Sequence, residues 1–287
     1  MDSSIENKIF FFGFGYTAKY LYEIMKPNGW LGSASIRSRK NKTFREDKIE
    51  YFDFFEEQCK IEEQILSSKA VLISIPPSGK CDPVLEKYGE AFKEAGNLGW
   101  VGYLSSTSVY GNFNGKWVSE DTNPLPTTTL GQNRLFAERK WEKVADRYNL
   151  PIIRFRISGI YGPDRNPLER IKKRTQRIIL KENQIFNRVH IDDLCKILYR
   201  SINSPRLGRV YNIADNEPST SEEFISEAAR LLSYSEPERV NISDANLSEM
   251  ALSFYADSKR VSNKKIVKDL GYTFKYPSFK EGLKSLV

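Results

Sequence analysis

Six residues near the start, Gly13-Phe14-Gly15-Tyr16-Thr17-Ala18, constrain this chain more than any other stretch. They stand between an apolar run, Lys8 to Phe12, and a helical pattern from Ala18 to Met25 that stops before Pro27. In the order strand, turn, helix, each small residue has a physical use: Gly13 permits the tight turn, Gly15 lets a pyrophosphate approach the backbone, and Ala18 allows close packing of helix on strand. The helix N-terminus then offers unpaired amides and a favourable dipole to an anion. A glycine turn can also merely connect two elements. Its place at the head of a βαβ pattern favours dinucleotide binding, with Gly13, Phe14, Gly15, Tyr16 and Thr17 as the contact segment.

Apolar runs continue to alternate with helical stretches, the pattern of a parallel sheet covered by helices on both faces. Further strands are expected at Gly32 to Ile36, Ile49 to Phe52, Ala70 to Ile75, Trp100 to Ser105, Ile152 to Arg156 and Arg209 to Ile213. Helices are expected at Ile61 to Leu66, Val84 to Ala95, Asn133 to Tyr148, Leu168 to Ile179, Asp192 to Ile202, Ser221 to Leu232 and Asn263 to Leu270. The polar stretch from Asn112 to Thr128 reads as a long loop bordering a site.

Composition narrows the chemistry. A single histidine, His190, excludes multi-histidine metal centres, and any hydrolytic triad would have to use that one imidazole. Three scattered cysteines, Cys59, Cys81 and Cys195, without a CxxC pair, indicate neither a disulfide framework nor a thiolate zinc site. The formal charge of +7 permits attraction to anions without identifying one. Its densest cluster, Arg170, Lys172, Lys173, Arg174 and Arg177, wraps around an expected helix and reads as a solvated face in preference to a nucleic-acid surface. No apolar run approaches a membrane span, and the polar first residues do not resemble a secretory signal, so a cytoplasmic location is expected.

The end of the second strand bears on the cofactor. An NAD site would place an acidic residue there for the ribose hydroxyls, whereas this chain has Arg37, Ser38, Arg39 and Lys40. Guanidinium groups suit a 2′-phosphate, which favours NADP over NAD; the alternative is a set of solvent-facing loop charges. Asp53, just after the third strand, is placed to cap or contact the adenine edge, and Ile75, Pro76 and Pro77 would line the other ribose.

Ser105-Ser106-Thr107-Ser108-Val109-Tyr110-Gly111, at the end of the fifth strand, resembles the SSxxVYG signature of extended short-chain dehydrogenase/reductases, the group of nucleotide-sugar epimerases and dehydratases. Similar matches follow at Arg156 to Pro163, Arg188 to Leu194 and Tyr211 to Ala214, so the resemblance covers nearly the whole chain. It implies an α/β fold, a Rossmann-type doubly wound parallel sheet with a small C-terminal substrate domain. The expected division is 1–158 plus 187–217 for the NADP-binding domain and 159–186 plus 218–287 for the substrate domain.

In that family a serine or threonine and a tyrosine bind the reacting group, and a lysine four residues after the tyrosine holds the nicotinamide ribose. The hydroxyl position falls on Ser106, with Thr107 adjacent; the tyrosine position holds Leu130, the lysine position Arg134, and Glu138 matches a family glutamate. Leucine cannot transfer a proton, and arginine stays charged and serves as a fixed donor. A relocated acid or base would fall to Tyr110, Tyr161 or Cys81, each of which can also be read as packing or as an inert thiol. Ser106, Thr107, Arg134 and Tyr161 are therefore the candidate catalytic residues. The expected activity is that of an oxidoreductase or an epimerase/dehydratase-like enzyme of unspecified substrate, and the alternative is a non-catalytic NADP(H)-binding sensor. The partner expected is a small molecule, an anionic one suiting Arg154, Arg156 and Arg165. No nucleic acid or membrane partner is expected, and the chain is expected as a monomer or homodimer.

Overall fold

The computed structural model describes residues 7–38, 49–204 and 207–287. The expected contacts Arg39 and Lys40 lie outside the described residues. From the N-terminus the elements are β1 (Lys8–Phe12), α1 (Tyr16–Met25), β2 (Leu31–Ile36), β3 (Glu50–Asp53), α2 (Gln58–Ser67), β4 (Ala70–Ile73), α3 (Pro83–Lys93) and β5 (Trp100–Ser106). Next come β6 (Trp117–Val118), α4 (Thr129–Tyr148), β7 (Ile152–Ile157), β8 (Gly159–Tyr161), α5 (Leu168–Lys172), β9 (Ile178–Leu180), β10 (Arg188–His190), α6 (Ile191–Ile202) and β11 (Val210–Ile213). The chain closes with α7 (Ser221–Leu231), β12 (Arg239–Asn241), α8 (Glu249–Tyr255), β13 (Arg260–Val261), α9 (Lys264–Leu270) and α10 (Phe279–Lys284).

Seven strands form one sheet in the order β11-β7-β5-β4-β1-β2-β3. The pairings from β3 through β2, β1 and β4 to β5 are all parallel. The order reverses at β1, the first strand, and the chain leaves the carboxyl ends of β1 and β4 in opposite directions there, the place where open α/β sheets bind ligands. This is the Rossmann-like α/β architecture expected. Phe10, Phe11 and Phe12 are fully buried, as a central parallel strand covered on both faces requires.

The chain divides into two compact units. The first comprises Met1–Ser105, Asn133–Phe155 and Cys195–Val210. Its core is aromatic: Phe12 lies 4.9 Å from Phe10 and 5.3 Å from Tyr88, and Phe92 lies edge-on to Trp141 at 5.2 Å. Asp82 starts α3 by accepting from the amides of Val84 and Leu85 and also takes the Trp141 indole N–H at 3.0 Å. The second unit comprises Ser106–Gln132, Arg156–Leu194 and Tyr211–Val287. Its core gathers Tyr161, Leu168, Ile171, Ile178, Ile225, Phe279 and Leu283.

Two expectations in the second unit are corrected. The helix expected from Leu168 to Ile179 ends at Lys172, because Arg174 takes a left-handed conformation (φ 54°) that a helix cannot continue through. Ile178–Leu180 instead pairs in parallel with Arg239–Asn241, a partner 61 residues away that local periodicity cannot reveal. The basic cluster is therefore spread over a short helix, a turn and the approach to a strand. The stretch from Asn112 to Thr128 is not wholly loop: Trp117 and Val118 pair with Arg260 and Val261, and Val118 is buried. Among the described residues no helix is long and apolar enough to cross a membrane.

Candidate functional site

In the first unit the glycine turn follows β1 directly. Gly13 has φ 84°, and a Cβ there would stand 3.0 Å from Ser74 Oγ and 3.2 Å from the Ile75 side chain. Both the conformation and the space require glycine. Two hydroxyls hold the turn: the Gly13 amide donates to Ser35 Oγ at 3.3 Å, and Ser74 Oγ lies 3.0 Å from the carbonyls of both Phe12 and Gly13. Sequence reasoning missed these serines; the available signal was a hydroxyl residue at the carboxyl end of each apolar strand flanking β1.

Gly15 differs from Gly13. A Cβ on it would meet nothing within 4 Å, so its surroundings are open. It is the N-cap of α1, where no side chain caps the helix and no acidic residue stands in the first turn. A helix N-terminus without a side-chain cap beside an open approach forms an anion cradle. Ala18 is fully buried, as close helix packing requires. Phe14 is buried against Phe11 at 5.4 Å and Tyr51 at 5.7 Å, so its ring belongs to the core and only its backbone faces the turn. Tyr16 stacks on Tyr20 at 4.9 Å, and Thr17 is buried, with its carbonyl accepting from Cys195 Sγ.

The other expected contacts of this unit lie at carboxyl ends of neighbouring strands. Arg37 and Ser38 follow β2 and are exposed. Asp53 ends β3, is buried, and accepts from the amides of Phe55 (2.9 Å) and Glu56 (3.2 Å), so one carboxylate oxygen caps its turn. Ile75 and Pro77 are half-buried and Pro76 exposed just beyond β4. Arg134, on α4, donates from Nη1 to the Leu104 carbonyl at 2.9 Å and to the Tyr103 hydroxyl at 3.3 Å, which fixes a cation at the end of β5. Glu138, one turn further, is fully buried and accepts from Ser105 Oγ at 2.5 Å.

In the second unit, Ser106 Oγ accepts from the Ser108 amide at 3.1 Å and so starts the short 3-10 turn Thr107–Tyr110. Thr107 is buried. Gly131 packs against this turn, since a Cβ on it would lie 2.5 Å from the Ser108 carbonyl oxygen. That approach brings the start of α4 to the turn that Ser106 caps. Leu130, expected from the resemblance at the tyrosine position, is 51% exposed.

The remaining acid/base candidates are engaged elsewhere. The Tyr110 hydroxyl donates to Asn212 Oδ1 at 2.7 Å and accepts from Arg156 Nη1 at 3.1 Å; burial pushes its phenol up, against a smaller opposing pull from Arg156. The Tyr161 hydroxyl points to the Ser278 carbonyl at 3.4 Å and fills the space above Gly282, and burial, with Asp215 and Asp193 nearby, also raises its phenol. Phenols raised in this way stay protonated at neutral pH. Cys81 is raised first by its hydrogen bond with Glu86. Arg154 pairs with Glu142 at 2.8 Å, so two of the arginines considered for an anionic substrate, Arg154 and Arg156, serve buried structural bonds.

One buried cation escaped sequence reasoning. Lys259 donates to the Gly111 carbonyl at 2.8 Å and lies 3.4 Å from Asp257, which also binds Thr127 Oγ1. It ties the segment after Tyr110 to a residue nearly 150 positions away. Among the described residues no group of three or more His, Cys, Asp or Glu is arranged to hold a metal.

The comparisons extend this reading. A functionally unknown conserved protein from Silicibacter pomeroyi DSS is 36% identical, with 98% of each chain covered and a TM-score of 0.88. Protein YeeZ of Escherichia coli K12 is 27% identical over 223 residues, 74% of this chain and 73% of that protein. The UDP-glucuronic acid 4-epimerase of Bacillus cereus, solved in complex with NAD, shares the fold at a TM-score of 0.74 and 17% identity, covering 96% of each chain. Residues 90–214, which contain the SSTSVYG turn, α4 and the His190 segment, match the NAD dependent epimerase/dehydratase family.

Proposed function

We propose that this chain binds a nicotinamide dinucleotide in the cradle formed by Gly13, Gly15 and the N-terminus of α1, with NADP(H) preferred to NAD(H). We read it as an oxidoreductase or epimerase-like enzyme acting on a small molecule. The open approach at Gly15, with no side-chain cap, carries this reading, because it leaves room beside the backbone and the helix dipole for a diphosphate. The cofactor would supply hydride transfer. The protein's part is to bind and orient it: backbone at Gly13 to Tyr16 for the pyrophosphate, Arg37 for a 2′-phosphate, and Arg134 for the nicotinamide ribose, where the family places its lysine. The Bacillus cereus neighbour was solved with NAD; the preference proposed for this chain rests on Arg37, which makes no hydrogen bond or ion pair among the described residues. Titration of both cofactors by calorimetry tests it.

A second reading, a cofactor-bound sensor without turnover, is favoured by the exposed leucine at the proton-transfer position and by the engaged hydroxyls of Tyr110 and Tyr161. The two part on one experiment. Turnover abolished by Ser106→Ala, with NADPH affinity retained, supports the enzyme. Tight NADPH binding without turnover across a broad panel of carbonyl and nucleotide-sugar compounds supports the sensor.

A further inference from the structure

Two turns of the second unit hold their backbone in a conformation that their residue types disfavour. Among the described residues, five of the non-glycine residues with positive φ are asparagine or aspartate, which tolerate it. The other two are Arg174 (φ 54°), between α5 and β9, and Ser233 (φ 58°), between α7 and β12. Because β9 and β12 pair in parallel, both turns stand at the amino ends of one two-stranded sheet. A cavity of about 600 Å³ is lined by both: Arg174, Gln176 and Arg177 come from the first turn, and Tyr234, Glu236 and Glu238 from the second. The volume suits a small organic molecule.

The polar groups of this cavity divide into paired and unpaired ones. Glu238 is met by Arg177 at 3.5 Å and Glu236 by Arg239 at 2.6 Å, so both carboxylates are answered from within the protein. Arg174 is different: its guanidinium has neither a carboxylate nor a hydrogen-bond acceptor among the described residues. Tyr234 is 42% exposed, and there its ring has no aromatic or cationic neighbour and its hydroxyl no hydrogen bond. Gln176 donates from Nε2 to the Arg177 carbonyl at 2.6 Å, which sets the orientation of the carboxamide and leaves Oε1 buried without a partner. Arg170 and Lys173, of the same basic cluster, also lack a carboxylate among the described residues, whereas Lys172 is paired with Glu169 at 3.1 Å.

A glycine at position 174 would take the left-handed conformation without strain. The arginine adds strain there and its guanidinium makes no contact within the protein. Strain of this kind gathers at ligand sites. What the cavity leaves over is one cation, one aromatic face and one hydrogen-bond acceptor.

We infer that this cavity is a ligand site for a phosphorylated aromatic small molecule, its phosphate held by Arg174 and its ring laid against Tyr234. A guanidinium meets a phosphate through parallel N–H donors, and two aromatic rings attract each other in offset or edge-on arrangements. The uncompensated charges of Arg170 and Lys173 favour a phosphate dianion over a singly charged carboxylate. An N–H or O–H on the ligand ring answers the Gln176 oxygen. None of these residues is among those assigned to the cofactor or to the reaction, so the inference goes beyond the proposed function.

The test is calorimetric titration of the intact protein with phenyl phosphate, inorganic phosphate and phenol. Phenyl phosphate is expected to bind on the order of ten-fold more tightly than either of the others. Arg174→Gly is expected to lower its affinity to that of phenol, in a variant that folds because glycine suits a positive φ. Tyr234→Ala, at a partly exposed ring, is expected to lower it to that of inorganic phosphate. Circular dichroism establishes that the variants are folded, and each decides the question alone if the other is not. Inorganic phosphate bound as tightly as phenyl phosphate would mean an ion site only and overturns the assignment. Phenol bound as tightly as phenyl phosphate, no binding of any of the three, or an affinity for phenyl phosphate unaltered by Arg174→Gly or by Tyr234→Ala overturns it as well.

Discussion

Arg134 Nη1 lies 2.9 Å from the carbonyl oxygen of Leu104, so the side chain expected at the family lysine position is anchored to the last residues of β5. One end of the guanidinium is spent on this anchor, and the other donors remain to meet a ribose. Arg134→Ala is expected to weaken NADPH binding by about 1.5–3 kcal/mol, the range for a hydrogen bond to a charged group. Calorimetry measures it, with circular dichroism to establish that the variant is folded. Unchanged affinity would remove Arg134 from the cofactor site.

Leu130 permits a direct test of lost proton transfer. It is half exposed, so a tyrosine ring can be accommodated without disturbing a core. General acid/base groups contribute on the order of 10²–10⁴ in rate. Wild-type oxidation of NADPH by generic carbonyl compounds is therefore expected to be slow, and Leu130→Tyr combined with Arg134→Lys is expected to raise it measurably. Brisk wild-type turnover lost in Tyr161→Phe would instead identify a relocated acid.

What was legible in the sequence was what depends on neighbours along the chain. The glycine turn, with apolar β1 before it and helix after it, could be read because all its constraints fall within residues 8–25. The SSTSVYG turn was legible for the same reason. Pairings across long separations were not. Ile178–Leu180 looked like the end of a helix because its partner is Arg239–Asn241, and nothing local signals the left-handed Arg174. Lys259 and Ser74 carry no local signal of the contacts that the fold gives them with Gly111 and Gly13.

Two glycines should respond oppositely to alanine. Gly111 has φ 76°, and a Cβ there would collide with the Leu125 carbonyl oxygen at 1.9 Å. Gly111→Ala is expected to cost about 2–5 kcal/mol from backbone strain and overpacking together. Gly89 lies inside α3 with nothing within 4 Å of an added Cβ. Gly89→Ala is expected to stabilise by about 0.4–1 kcal/mol through reduced unfolded-state entropy. Urea unfolding of both variants measures the contrast, and similar effects at the two positions would contradict it.

Asp215 should leave a mark on stability against pH. Burial raises its folded carboxyl above the ordinary 3.8, so between that value and the folded one the native state holds more protons than the unfolded state. Stability from this group is then full below the unfolded value and is lost as pH rises through the folded one. Asp215→Asn keeps an oxygen for the Glu217 amide and cannot ionise. Its unfolding free energy is expected to fall less with rising pH than that of the wild type. Parallel curves for the two proteins would mean that the carboxyl titrates alike in both states.

Paired calorimetric titrations with NADPH and NADH measure whether the proposed cradle at Gly13 and Gly15 prefers a 2′-phosphate. NADPH is expected to bind more tightly, with Arg37→Ala lowering its affinity by about 1–3 kcal/mol while NADH affinity stays level. Equal or tighter binding of NADH by the wild type, or no binding of either cofactor, would contradict the account.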